Sequence, residues 1–218
     1  MGRAWRVLVV VAGAAIALSG CVVEGTPTWP GARLNDTLLT AADFPPGVEF
    51  GRITEQPGEP DGEGGPPAMP SQPEGCSDGL TRVIAASAQR GPGSAAKYVV
   101  AYDGARIVMT VLTSSLDLDQ LATTAARCAL YLTYFDKDSE PIPITTTKLE
   151  SVRPDSLVYQ QTMQLQGTES SVYFTFENIG DAAMFAIAFP TPAPSIAVKG
   201  MLPQTFLDVT AKQAERLH

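Results

Sequence analysis

The sequence predicts an α+β fold: one domain in which an antiparallel β-sheet is flanked by helices. Three observations carry that expectation. Four strand-length runs lie between Ile142 and Phe189, and links of hairpin length join the last three. Asp103-Gly104 separates two runs of alternating apolar residues, the strongest short-range signal for a hairpin. Stretches of helical period occur singly around these runs, which argues against the strict strand–helix alternation of a doubly wound sheet.

Taken in order, residues 22–36 show little periodicity and read as a tether. Thr40-Ala-Ala-Asp-Phe-Pro-Pro-Gly reads as one helical turn with Thr40 as N-cap, stopped by Pro45 and Gly47. Val48 to Thr54 reads as a strand. Residues 57–75 hold six prolines, five glycines, four acids and no base, the composition of an exposed insert with nothing to bury. Ser77 to Arg90 reads as a helix with Leu80, Val83 and Ile84 inward, ended by Gly91-Pro-Gly. The hairpin then places Tyr98, Val100 and Tyr102 on one face, and Ile107, Met109 and Val111 alternate after the turn. Asp117 to Leu132 reads as a second helix, with Leu118, Leu121, Ala125, Cys128 and Leu132 on one side.

The strand series follows: Ile142–Leu149, Ser156–Leu165, Ser170–Glu177 and Ala182–Phe189. In the second, Leu157, Tyr159, Met163 and Leu165 oppose Gln160, Thr162 and Gln164. The fourth, Ala-Ala-Met-Phe-Ala-Ile-Ala-Phe, is apolar on both faces, as in a strand covered on both sides. Pro203 opens a last helix with Phe206, Val209 and Leu217 inward.

The first twenty-one residues carry an address. Arg3 and Arg6 precede an apolar run from Val7 to Leu18, and Leu18-Ser19-Gly20-Cys21 follows directly. The run is too short to span a ~30 Å hydrocarbon core, and its layout is that of a secretory signal. The four residues match the bacterial lipobox. The expectation is a lipoprotein signal peptide over 1–20, lipidation of Cys21, a lipidated tether over 21–36 and a folded domain over 37–218 with the insert at 57–75. The chain would then sit on the extracytoplasmic side of the cell membrane, its acyl chains supplying stable anchorage.

Loss of residues 1–20 removes two arginines and no acid, so the formal charge goes from −8 to −10. So acidic a chain has no electrostatic case for nucleic acid. Export also leaves Cys76 and Cys128 in an oxidising compartment, where an even pair reads as a disulfide. That bridge would close a loop worth about 4 kcal/mol in the chain-entropy model.

The chemistry of an enzyme is sparse. The single histidine, His218, stands at the C-terminus, where residues commonly fray. A Ser-His-Asp triad, a Cys-His pair or a His-ligated zinc site is therefore disfavoured. No phosphate-cradling glycine motif occurs. Asp136-Lys-Asp138-Ser-Glu140 has alternating oxygen ligands but lacks the turn glycine of a calcium loop and reads as a solvated link. Asp117 and Asp119 read as first-turn carboxylates facing the helix dipole. Tyr98, Tyr102, Tyr159 and Phe174 read as core rather than cavity lining. The expectation is no catalysis, no metal and no cofactor.

The lipobox, the Leu-Thr-Ala-Ala-Asp-Phe-Pro-Pro-Gly segment, Gly75-Cys76 opening a helix and Cys128 inside a later one form a recognisable order. It resembles the small mycobacterial lipoproteins of unknown function. More distantly, over roughly residues 37–218, it is similar to the extracellular sensor domain of the PknH-type serine/threonine kinases. That resemblance implies an antiparallel sheet flanked by helices, disulfides, and a cleft proposed to bind an unidentified ligand. The chain departs from it in having one candidate disulfide rather than two, and no kinase or transmembrane segment. No ligand-binding residue carries over. The function expected is a noncatalytic binding module for an envelope lipid, glycan or small molecule, with the alternative of a module that binds another envelope protein.

Overall fold

The computed structural model describes residues 30–54, 68–87, 93–136, 138–151, 153–165 and 167–218. The expected signal peptide, Cys21, and residues 57–67 of the insert lie outside them. Among the described residues, nine strands form one antiparallel sheet in the order β1-β3-β4-β9-β8-β7-β6-β5-β2. The strands are β1 (Glu49–Ile53), β2 (Ser71–Gln72), β3 (Ala95–Tyr102), β4 (Ala105–Leu112), β5 (Leu130–Thr133), β6 (Ile142–Leu149), β7 (Leu157–Leu165), β8 (Thr168–Ile179) and β9 (Ala182–Phe189). Four α-helices accompany them: α1 (Pro30–Thr37), α2 (Gly79–Ser87), α3 (Leu118–Arg127) and α4 (Gln204–Leu217). No described helix is long and apolar enough to cross a membrane.

The turns follow from the residues in them. Gly104 takes φ +107°, a left-handed value, and a Cβ there would stand 2.5 Å from the Gly200 carbonyl oxygen, so the β3–β4 turn has room only for glycine. Asp117 caps α3 by accepting a hydrogen bond from the Gln120 N–H at 2.8 Å.

Alternation along the strands separates two layers. Tyr98, Val100, Ile107, Met109, Met184 and Ala186 face α1 and α4, where they pack with Leu34, Leu38, Leu39, Phe206 and Val209. Leu112, Tyr159, Phe176 and Ala183 face α2 and α3, packing with Leu80, Ile84, Leu121 and Ala125. β9 packs on both faces through Ala183, Met184, Phe185 and Ala186, while Ile187 is half-buried and Phe189 is exposed at its far end.

Several expectations are corrected. Residues 30–36, expected as tether, instead belong to α1, which Pro30 opens and whose Leu34 is buried in the core. The helix expected over Asp117–Leu132 stops at Arg127. Tyr131 then pairs with Ile144 and Leu132 with Pro143, so that β5 extends the sheet beyond β6. The apolar spacing from Cys128 to Leu132 fits a helix, but Leu130 is exposed where Tyr131 and Thr133 are buried, the period of a strand. The insert expected over 57–75 also gives way to structure near its end: Ser71 and Gln72 form β2 and pair with Thr133 and Leu132. Ser71 Oγ accepts from the Cys76 N–H at 3.0 Å, an offset that no hydrophobic pattern announces.

Candidate functional site

The layer over α2 and α3 is fixed by a cross-link. Cys76 and Cys128 are joined, S–S 2.05 Å, and both are buried beside Tyr131, Ile142 and Ile144. Gly79 allows the helices to meet: a Cβ there would lie 2.9 Å from Thr124 Cγ2. Two guanidiniums then converge on one backbone carbonyl, with Arg82 Nη2 donating to Gly75 O at 2.8 Å and Arg127 Nη2 donating to it at 3.4 Å. Arg127 Nη1 also donates to Glu74 O at 3.0 Å, and Arg82 Nε pairs with Asp78 at 3.2 Å. A polar depression of about 410 Å3 lies here, lined among others by Arg82, Ser87, Asp117, Gln120 and Arg127. Its cations are engaged in holding the residues before Cys76 against the two helices.

Those helices cover only part of their side of the sheet. Register places Gly51, Val99, Val108, Ile187, Phe174, Tyr159 and Lys148 opposite one another in a single row across seven strands. The row lies on the α2–α3 side, since Tyr159 and Phe174 pack into the cluster under those helices. Val99, Val108 and Ile187 are half-buried and belong to none of the clusters formed by described residues. The next row holds Phe189 and Val172, which are also partly exposed, and ends in Gln161 and Thr146. The apolar floor therefore continues past the helices.

Charged residues of both signs flank this floor, with Lys97 two residues from Val99 on β3. Lys148 closes the row on β6, while on β1 Glu49 stands two residues from Gly51. Gly51 itself has no side chain to shield Val99, whose Cγ1 would lie 3.5 Å from a Cβ there. Arg106 on β4 flanks the floor beside Phe189. Neither Lys148 nor Arg106 makes an ion pair among the described residues.

On the opposite face, Glu177 is buried. Arg153 Nε donates to its Oε1 at 2.6 Å, and Oε2 has no partner among the described residues. His218 is drawn into this group rather than frayed, its Nε2 standing 2.8 Å from Arg153 Nη2. In the link expected to be solvated, the Asp138 N–H donates to Asp136 Oδ1 at 3.0 Å, and among the described residues no group of three His, Cys, Asp or Glu is arranged to hold a metal. Asp117 is the α3 cap, and Asp119 lies in its first turn.

Sequence reasoning placed Tyr159 and Phe174 on the sheet but missed the open row. Val99, Val108 and Ile187 belong to three separate strands, and only the pairing register brings them side by side. Tyr98 and Tyr102, on the other face, are core.

No protein-family model matches the chain, and no curated protein matches it. Among solved structures the chain is similar to the X-ray structure of an uncharacterized protein from Mycobacterium smegmatis, the Rv0999 ortholog. That match has a TM-score of 0.46 and 12% identity and covers 86% of this chain and 95% of the other.

Proposed function

We propose that the chain is an envelope lipoprotein, anchored through Cys21 on the extracytoplasmic side, whose sensor-like domain binds an apolar envelope ligand without turning it over. The observation that supports this most is the row Val99–Val108–Ile187, half-buried apolar residues beside two helices that belong to none of the core clusters of described residues. Contiguous apolar surface on a soluble face is a mark of an interaction site. The cross-linked α2–α3 layer supplies a fixed wall along one side of it. The absence of catalysis in this reading rests on residue types, since the single histidine is engaged with Arg153.

The test is a thermal-shift screen of the full chain against envelope lipids, glycans and metabolites. A ligand that binds only the folded state stabilises it by about 2.7 kcal/mol at 100 Kd. Saturable shifts with an apolar class, lost in Val108→Asp, support the reading. Shifts untouched by that change, or none from any envelope fraction together with a crosslinked protein partner, overturn it.

A further inference from the structure

We infer that the depression between α2 and α3 is a seat for a short peptide with both termini free, its C-terminal carboxylate at Arg82 and Arg127 and its N-terminal ammonium facing Asp117. None of the residues lining it belongs to the open row, so this site is separate from the surface of the binding reading above.

Two cations meet at one end. Arg82 and Arg127 both donate to Gly75 O, so their Nη2 atoms stand no more than about 6 Å apart, near enough to repel. Asp78 pairs with Arg82, but no carboxylate pairs with Arg127 among the described residues. Each guanidinium uses two donors on its protein partners and keeps the rest of its fork. A carboxylate bridging the two would offset their repulsion with donors already fixed in place.

The far end has the opposite sign. The helices run antiparallel: Gly79 lies against Thr124 where α2 begins, and Ser87 Oγ accepts the Asp117 N–H at 3.3 Å where it ends. Asp117 caps α3 through Oδ1, and its Oδ2 makes no hydrogen bond among the described residues. It stands too far along α3 to serve Arg127, about 15 Å away at 1.5 Å per residue.

Length selects the ligand. On α2, Arg82 and Ser87 are about 8 Å apart, so the opposite charges are separated by about 8–15 Å along the helices. An extended peptide spans at most ~3.3–3.6 Å per residue, so three residues reach about 10 Å and four about 14 Å. A single amino acid, with both charges on one carbon, could occupy one end only. A dianion of the same length would set its second charge against Asp117. Between the ends, Gln120 offers a side-chain amide to the peptide backbone, and Val83 and Ala86 offer apolar surface to small side chains. The cavity of about 410 Å3 lies within the range of small-ligand sites.

Calorimetric titration of the full chain with trialanine, trialanine amide, N-acetyl-trialanine and acetate tests this. Trialanine should bind saturably, and more weakly as salt is raised. Amidation, which removes the carboxylate's charge, should weaken binding about tenfold or more, the worth of a charge-assisted hydrogen bond. Acetylation of the amine should weaken it about threefold, as for an exposed ion pair. Arg127→Gln should remove most of the difference between trialanine and its amide. Asp117→Asn, which keeps a good N-cap residue, should remove the difference between trialanine and its acetylated form. The peptide series on the unaltered chain separates the two ends by itself, so the test does not depend on either variant folding. No saturable binding, equal binding of trialanine and its amide, or acetate binding as tightly as trialanine would each overturn the inference.

Discussion

Gln213, in the middle of α4, holds the backbone of Leu39 by a single fully buried amide. Its Oε1 accepts from the Leu39 N–H at 3.1 Å, and its Nε2 donates to Thr37 O at 2.9 Å. The C-terminal end of α1 leaves carbonyls without helical partners, and one of them is satisfied here from 176 residues away. The clamp seats Leu38 and Leu39 beneath the sheet.

Gln213→Leu keeps the volume but strands a buried donor and an acceptor. Each orphan costs about 1–3 kcal/mol, so chemical denaturation should record a loss of roughly 2–6 kcal/mol. A loss under ~0.5 kcal/mol, the range of a neutral surface change, would mean that α1 is not fastened this way.

Arg153→Ala should be costly for a different reason. Glu177 is 3% exposed in its side chain, and Arg153 is the cation facing it. Removing one partner of a buried pair leaves an uncompensated charge, typically 3–5 kcal/mol. The double variant Arg153→Ala/Glu177→Gln should recover much of that loss, because the stranded charge is then gone. If the double variant is no more stable than the single, the pair is not what Arg153 supplies.

Elements whose signals are local were legible in the sequence. The Asp103-Gly104 hairpin, the runs of β6 to β9 and the inward face of α2 follow from period and turn chemistry alone. The disulfide followed from pairing the two remaining cysteines. What escaped depended on distant partners. The eight residues of α1 carry a single large apolar side chain, Leu34, too little to announce a helix, and Pro30 was its one local mark. The stretch Leu130–Thr133 obeys helical and strand periods alike until β6 arrives to pair with it. Ser71 and Gln72 become a strand only because β5 offers an edge. The open row is invisible for the same reason, being a property of register across seven strands.

Cys128→Ala should lower stability by about 2–5 kcal/mol, the usual cost of losing a native disulfide in a small domain. Because the bridge ties the segment before α2 to the end of α3, reduction of the unmodified chain should produce a comparable loss. Equal melting temperatures with and without reductant would show that the α2–α3 layer stands without it.

Cys21→Ala should block lipidation, so that the chain no longer partitions with membranes as a mature-sized band. Fractionation with acyl-chain labelling reads this directly. A mature-sized, membrane-bound mutant would remove the anchor from the proposed function and leave the binding surface untouched.

Stability should be flat near neutrality and fall at both extremes, for opposite reasons. Burial pushes the Tyr131 hydroxyl up to about 12 and raises those of Tyr98, Tyr102 and Tyr159 as well. A phenol whose pKa is raised on folding holds its proton longer in the native state. Its contribution is therefore complete below the unfolded value near 10 and lost as pH rises through the folded one. Asp43 behaves inversely. The Thr40 backbone N–H at 2.7 Å, then the Thr40 hydroxyl at 2.9 Å and the nearby Arg216 and Lys212, outweigh burial and hold its carboxyl below the usual range. Its contribution is present above the unfolded value and lost as pH falls through the folded one. Tyr131→Phe should flatten part of the decline between pH 10 and about 12, and Asp43→Asn should weaken the decline below about pH 4 while lowering stability at neutrality. Denaturation midpoints across pH, with tyrosinate absorbance followed in parallel, give both. An alkaline decline unchanged by Tyr131→Phe would assign it to the other buried tyrosines, of which Tyr98, fully buried with no partner for its hydroxyl among the described residues, is the next to replace.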